Sequence, residues 1–169
     1  MPDGAPHQMR TTVKSPVSLF VTDWPEDLVG QVVGQSPWFC IDQERINGFA
    51  RNTNDWDHMH VDPHWCEKNS PFGKPIAFGF QTMSMLTYLL NEAVPRPDDQ
   101  AYALNYGFDR LRLLNPVTVG SEIRSTFVLK TVVRKDSKTT LNTLDTTVEI
   151  KGQVKPAMVA DWLIMMVRK

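Results

Sequence analysis

Ionisable side chains are crowded into one short stretch of the sequence. The segment from Asn54 to His64 holds three of the four histidines and three aspartates. It lies between two stretches with helical patterning, so we expect it to form a connection. Connections held by a rigid scaffold are where catalytic groups concentrate. The segment is therefore the strongest candidate for a functional site.

Two interpretations of the segment do not involve acid/base catalysis. In the simplest, the polar residues fill a surface loop in which Asp57 and Asp62 cap turns and the histidines are solvated. In the second, His58, His60 and His64 bind a metal ion together with a carboxylate, because imidazole and carboxylate ligands suit zinc and iron. The spacing of these residues alone excludes neither interpretation.

A third interpretation needs only Asp55 and His60 converging on one water molecule. The two residues are five apart in a predicted turn that can bring both side chains to the same side. Their unperturbed pKa values of about 3.9 and 6.5 give an ionised carboxylate beside an imidazole near its switching point. That combination is typical of general acid/base catalysis.

A helix is predicted immediately before this segment. Asp42 is a suitable N-cap, and the spacing of Ile46, Phe49 and Ala50 places three apolar side chains on one face of a helix over 45–51. The segment would therefore begin where this helix ends.

A second helix is predicted after the segment, over 75–90. This stretch is apolar nearly all round, with Pro75 at a suitable first helical position, so the helix should be buried. Residues 28–39 suggest a short, bent strand. Four further strands are predicted from their β-branched and aromatic content: Tyr102–Phe108, Glu122–Arg134, Lys138–Ile150 and Met158–Val167. Short polar breaks would join them as antiparallel hairpins, so the fold class is α+β.

Composition narrows the classes of protein that fit. A chain of 169 residues matches one domain, which we place at 17–169 after a flexible tail over 1–16. The net charge of −1 gives no reason to expect a nucleic-acid partner. No window is apolar for long enough to cross a membrane, and no secretory signal is visible. Cys40 and Cys66 form no disulfide pattern, so we expect a cytoplasmic protein.

Three ordered motifs resemble the MaoC-like dehydratases, the family of the (R)-specific enoyl-CoA hydratases and the NodN-like proteins. The first motif reads Phe49-Ala50, then Asp55, His60 and Asp62-Pro63. The second reads Phe72-Gly73-Lys74-Pro75-Ile76-Ala77-Phe78-Gly79, and the third runs from Arg110 through Asn115-Pro116 to Gly120. This sequence has Phe78 where the family has a histidine, Asn54 in place of a glycine, and Asp57-His58 in place of Asn-Pro.

The resemblance implies a hot-dog fold, in which an antiparallel sheet wraps around a long central helix, assembled as a homodimer. It maps the catalytic pair onto Asp55 and His60, and the amide that binds the thioester oxygen onto Gly79. Phe78, Thr87, Arg110 and Arg112 are the further candidates for binding the substrate. No metal or other cofactor is implied.

The expected activity is the reversible hydration of a trans-2-enoyl thioester, carried by CoA or a carrier protein, to an (R)-3-hydroxyacyl thioester. Three alternatives stay open: a thioesterase on the same fold, a non-catalytic protein that binds acyl thioesters, and a metalloprotein.

Overall fold

The computed structural model describes residues 26–96 and 98–169. A 3₁₀ turn at Glu26–Leu28 precedes the regular elements. These are β1 (Val32–Gln35), β2 (Phe39–Ile41), α1 (Gln43–Thr53), α2 (His58–Val61), α3 (Pro63–Asn69), α4 (Gly79–Ser84), α5 (Leu86–Ala93), β3 (Gln100–Leu113), β4 (Ser121–Arg134), β5 (Thr139–Ile150) and β6 (Met158–Arg168). The predicted tail over 1–16, and the first residues of the predicted domain up to 25, lie outside the described residues.

All six strands belong to one antiparallel sheet. Its order is β1-β4-β5-β6-β3, and β2 also pairs with β4 beyond the end of β1. The two predicted hairpins are confirmed, since β4 pairs with β5 and β5 with β6 along nearly their whole lengths. The predicted bent strand over 28–39 is instead two short strands. They are separated at 36–38, although the Ser36 amide still donates to the Ser125 carbonyl of β4 at 2.9 Å.

Alternation along β6 determines which face of the sheet is buried. Ala160, Trp162, Ile164 and Met166 are all buried, and Trp162 is among the largest fully buried side chains. They lie on the same face as the apolar residues of β4 and β5, because Trp162 pairs with Leu144 and Leu144 pairs with Leu129, and directly paired residues point to the same side of a sheet. The core therefore lies between this face and the helices.

The helix before the candidate segment forms as predicted, with slightly wider bounds. Asp42 caps α1 by accepting a hydrogen bond from the Arg45 amide at 2.9 Å. Ile46 and Ala50 are fully buried. The helix ends at Asn54, which adopts a left-handed conformation with φ of 58°. Asparagine tolerates this conformation better than most residues, so the chain can turn sharply there.

The predicted start of the central helix at Pro75 is wrong. The helix begins at Gly79 and continues through α5 to Ala93, with an irregular junction at Met85. Residues 75–78 are extended instead, because their hydrogen bonds go to a distant segment. The Ala77 amide donates to the Val117 carbonyl at 2.7 Å, and the Pro75 carbonyl accepts from the Val119 amide at 2.8 Å.

The central helix is also less buried than its composition predicted. Leu86 and Leu89 pack into the core, whereas Phe80 is 71% exposed and Tyr88 is 41% exposed. One sheet covers only one side of the helix, so the opposite side of this apolar helix faces outward in the single chain. The architecture is nevertheless the hot-dog fold, with the sheet curved around the helix. None of the helices in the described ranges is both long and apolar enough to span a membrane.

Candidate active site

We predicted that the segment over 54–64 forms a connection, but it is not a single irregular loop. It contains α2 and the start of α3, and an aspartate caps each of these helices. Asp57 accepts from the Met59 amide at 2.8 Å, and Asp62 accepts from the Trp65 amide at 2.9 Å, with Pro63 at the first helical position. The interpretation of these two aspartates as capping residues is therefore confirmed. A capping aspartate followed by proline is a helix-start signal that could have revealed α3 in the sequence.

The same capping geometry affects the electrostatics around the two short helices. The hydrogen bond from the Trp65 amide holds the pKa of Asp62 below its ordinary value, and His58 contributes in the same direction. Burial raises the pKa of the Cys66 thiol, and the nearby Asp62 and Asp57 carboxylates add to the effect. Cys66 of α3 therefore remains a neutral thiol packed against α2, where it contacts the His58 and Met59 carbonyls.

Asp55 lies in the short link between α1 and α2. Its amide donates to the Ala50 carbonyl at 3.1 Å, an i→i−5 hydrogen bond of the kind that closes the end of a helix after a left-handed residue. Its carboxylate is exposed and accepts from the Asp57 amide at 3.3 Å. The position of the backbone is thus fixed by the end of one helix and the start of the next, while the carboxylate keeps lone pairs for another partner.

His60 is held from two directions on α2. Its Nδ1 atom lies 2.7 Å from the Ile76 carbonyl oxygen. A carbonyl oxygen only accepts hydrogen bonds, so Nδ1 carries the proton and Nε2 of the neutral ring is left as an acceptor. The Gln43 side chain donates to the His60 carbonyl at 2.8 Å and so ties α2 to the first turn of α1.

Asp55 and His60, both within the described range 26–96, make no direct hydrogen bond or ion pair with each other. Each has another partner that fixes it, and each keeps free acceptor capacity: the Asp55 carboxylate and the His60 Nε2 atom. A water between the two residues could donate one hydrogen bond to the Asp55 carboxylate and the other to His60 Nε2. This arrangement is compatible with acid/base catalysis on a water, whose catalytic hydrogen bonds are often loose before substrate binds.

The three histidines of the metal-binding interpretation are not brought together. His60 bonds to Ile76, whereas His58 lies against Asp62 and stacks on Trp65. Over the described ranges 26–96 and 98–169, no three histidine, cysteine, aspartate or glutamate side chains converge in a way that could hold a metal ion.

Phe78 stacks on His60. The centroids of the two rings are 3.7 Å apart and the ring planes differ by 30°. Phe49 of α1 packs against Phe78 from another direction, with centroids 5.1 Å apart. Phe78 is only 5% exposed, so most of its surface contacts protein. Its predicted contact with the substrate stays a prediction.

Gly79 is the first residue of α4, and no side chain caps this helix. The amides at the start of a helix have no acceptor within it, so an uncapped first turn offers donors to a bound oxygen, with the helix dipole favouring negative charge. A Cβ atom at position 79 would overlap the Leu113 Cδ1 atom. Leu113 therefore already fills the space beside Gly79, and a larger residue at position 79 would have to displace it.

Thr87 lies eight residues further along the central helix, in α5, and is exposed. Its hydroxyl accepts from the Asn105 side chain of β3 at 3.3 Å. It also borders a cavity of about 270 Å³ between α5 and strands β3 and β6. The apolar wall of this cavity includes Leu90, Ile164 and Met166. Thr87 thus lies at the rim of a cavity, and none of the residues that line this cavity belongs to the segment over 54–64.

Arg110 and Arg112 lie on the outer face of β3, opposite Asp161 and Val159 of β6. Their neighbour Leu111 packs towards the core, and alternation along the strand sends the arginines to the other side. Both are exposed, and Arg112 donates to the Leu111 carbonyl. Their side chains therefore point away from the core, whereas the side chain of Leu113, the residue after Arg112, lies beside Gly79.

Sequence reasoning missed the groups that orient His60. The Ile76 carbonyl lies sixteen residues away and Gln43 seventeen. A backbone carbonyl gives no signal through residue type, and a glutamine at the start of a helix is unremarkable in composition. Only the fold identifies them.

Three comparisons with known proteins show the family and the fold of the chain. The family model described as MaoC like domain matches residues 26–152. Nodulation protein N of Rhizobium meliloti is 40% identical over 136 residues, covering 80% of this chain and 84% of that protein. The 3-hydroxyacyl-thioester dehydratase Z of Mycobacterium tuberculosis is 40% identical over 142 residues, covering 80% and 88%. The solved structure of the (R)-hydratase from A. caviae, involved in PHA biosynthesis, superposes with a TM-score of 0.65 at 23% identity, over 80% of this chain and 94% of that one. The chain belongs to the MaoC-like domain family, within which hydratases and dehydratases occur.

Proposed function

We propose that the protein reversibly hydrates a trans-2-enoyl thioester to an (R)-3-hydroxyacyl thioester, with Asp55 and His60 as the catalytic pair. The single observation that carries the proposal is the 2.7 Å distance between the Nδ1 atom of His60 and the Ile76 carbonyl oxygen. Because Nδ1 donates to the Ile76 carbonyl at 2.7 Å, the Nε2 atom of the neutral ring can take a proton from water. The matching family and the dehydratase relative support the same reaction class.

The proposed reaction uses one water and no metal or redox cofactor. His60 and Asp55 hold the water, its oxygen attacks the β-carbon of the enoyl group, and the pair removes a proton from it. A proton then passes from the pair to the α-carbon, so that the double bond gains the elements of water. The thioester oxygen carries negative charge in between, and the Gly79 amide at the uncapped start of α4 donates to it.

The acyl chain of the substrate is proposed to run along the central helix towards the cavity bordered by Thr87. Eight residues of helix separate Gly79 from Thr87, which corresponds to roughly 12 Å. The wall formed by Leu90, Ile164 and Met166 is apolar and suits a hydrocarbon chain. Arg110 and Arg112 are proposed to meet the phosphates of CoA or of a carrier-protein arm, an assignment that rests on the resemblance alone.

A homodimer is proposed as the working assembly. β3 forms an edge of the sheet, and large apolar side chains are exposed on it and on the adjacent helix, including Tyr102, Leu104, Tyr106 and Phe80. A long apolar edge strand favours pairing with another chain. A molar mass of twice that of the chain by light scattering would support this, and a monomer at working concentration would contradict it. The cytoplasmic location expected from the sequence stays a prediction.

The test of the activity uses purified protein and short enoyl-CoA substrates. Loss of the enoyl absorbance together with formation of the (R)-3-hydroxyacyl product is expected. Asp55→Asn and His60→Ala should each lower kcat by at least about 10²-fold, the usual scale of acid/base help. Full activity in both variants would reject the catalytic pair. Release of free CoA with the double bond intact would instead indicate a thioesterase.

A further inference from the structure

The segment Pro75–Gly79 contacts the proposed site at three successive points. The Ile76 carbonyl accepts from His60 Nδ1, the Phe78 ring stacks on the His60 ring, and the Gly79 amide opens α4. The Ile76 amide also donates to the Met59 carbonyl of α2 at 3.2 Å. The segment therefore joins the imidazole to the amide donor through a few covalent bonds.

From these contacts we propose that Phe78 is a positioning residue that holds the plane of the His60 imidazole. The proposal rests on the function proposed above. A single hydrogen bond at Nδ1 fixes the direction of one nitrogen but leaves the ring able to tilt about that bond. A flat ring stacked at 3.7 Å removes this freedom and so directs Nε2. Catalytic groups need to be held within about 10–20° of the productive direction.

Phe78 can do this because it is itself fixed. It is 5% exposed, and Phe49 of α1 packs against it at 5.1 Å. The backbone on either side is anchored, since the Ala77 amide donates to the Val117 carbonyl and the Phe78 carbonyl accepts from the Thr82 amide. A side chain with so little exposed surface has little left with which to contact the substrate. Its effect on catalysis therefore passes through His60.

Two variants and one matched control test the proposal. Phe78→Leu removes the flat ring, and Phe78→His keeps a flat ring of the kind the family places there. Phe49→Leu is the control, because it makes the same Phe-to-Leu change one ring further from His60. We expect Phe78→Leu to lower kcat by roughly 10- to 100-fold, the scale of a small misplacement of a catalytic group, with KM within about twofold. Phe78→His should recover most of the loss, and Phe49→Leu should lose less than about threefold.

The second readout is the mobility of the His60 ring, measured by NMR relaxation of the ring Cε1–H group in ¹³C-histidine-labelled protein, with the signals assigned by a His60→Gln variant. The native protein and Phe49→Leu should show a rigid ring. Phe78→Leu should show a more mobile ring in the same Nδ1–H form, because the hydrogen bond to Ile76 remains while the stacking contact is lost. If Phe78→Leu does not fold, Phe78→Met fills more of the same space and replaces it in both measurements.

Two results would overturn the proposal: a His60 ring as rigid in Phe78→Leu as in the native protein, or an unchanged kcat in Phe78→Leu. The NMR readout needs no substrate. If the native protein proves to have no hydratase activity, the mobility of the ring still decides whether Phe78 positions His60, so failure of the function and failure of this proposal are distinguishable.

Discussion

Substitution of Gly79 by alanine tests the role of the helix start most directly. The added Cβ atom would overlap the Leu113 Cδ1 atom, and it would stand beside the amide that we propose binds the thioester oxygen. Leu113 is 51% exposed, so its side chain can rotate away. The substitution should therefore disturb the site far more than the fold.

The size of each effect follows from these contacts. Alanine is favoured over glycine within a helix by about 1 kcal/mol, and moving Leu113 off its rotamer costs about 0.5–1.5 kcal/mol. The two nearly cancel, so Tm should change by no more than about 2–4 °C for a chain of this size. One oxyanion donor is worth about 10²–10³ in rate, so crowding this amide should lower kcat by about 10²-fold.

The assay compares Gly79→Ala with Gly48→Ala by enoyl-CoA hydration and thermal unfolding. Gly48 lies inside α1, and an added Cβ there would meet nothing within 4 Å. Gly48→Ala should therefore raise Tm slightly and leave kcat unchanged. It controls for the general effect of replacing a helical glycine.

Two results would refute the reasoning about Gly79. A folded Gly79→Ala protein with activity close to native would mean that the substrate does not approach this amide. Recovery of activity in the double variant Gly79→Ala, Leu113→Ala would mean that the displaced leucine, and not the crowded amide, caused the loss.

Three further predictions concern residues outside the catalytic pair. Asp62→Asn keeps a capping side chain that cannot titrate. Because the pKa of Asp62 is lowered in the folded protein, the carboxylate contributes stability above about pH 4, and this contribution is lost as the pH falls through the folded pKa. The fall in Tm at acid pH should therefore be shallower in the variant than in the native protein. Asn142 is fully buried with its Oδ1 atom unpaired, so Asn142→Leu should leave Tm unchanged or raise it, whereas Asn142→Asp should cost about 3–5 kcal/mol by thermal unfolding at neutral pH. If Arg110 and Arg112 bind phosphate, changing both to alanine should raise KM for an acyl-CoA several-fold with kcat unchanged and reduce the salt dependence of KM; an unchanged KM would remove them from the site.

Local patterns accounted for much of the fold. The four long strands were predicted to within a few residues, except that β3 extends beyond its predicted bounds at both ends. Asp42 marked the start of α1. These features depend on contacts within a few residues of the chain, or on which side chains avoid water, and both leave a direct trace in residue order.

Features that depend on distant partners could not be predicted in this way. Pro75 suits the start of a helix, yet residues 75–78 stay extended because their hydrogen bonds go to 117–119. The apolar central helix is exposed at Phe80 and Tyr88 because one sheet covers only one of its sides. Composition records how apolar a helix is, but not how much of it a single chain can cover.

Some properties of the candidate site likewise follow from the sequence, and others depend on the tertiary structure. The sequence by itself determined the identity and spacing of Asp55 and His60 and the glycine at position 79, because these are properties of residue order. Only the tertiary structure decided which nitrogen of His60 carries the proton and which ring it stacks on. Those properties come from the Ile76 carbonyl and the Phe78 ring, which are remote in sequence and meet the imidazole only when 75–78 is held extended beside α2.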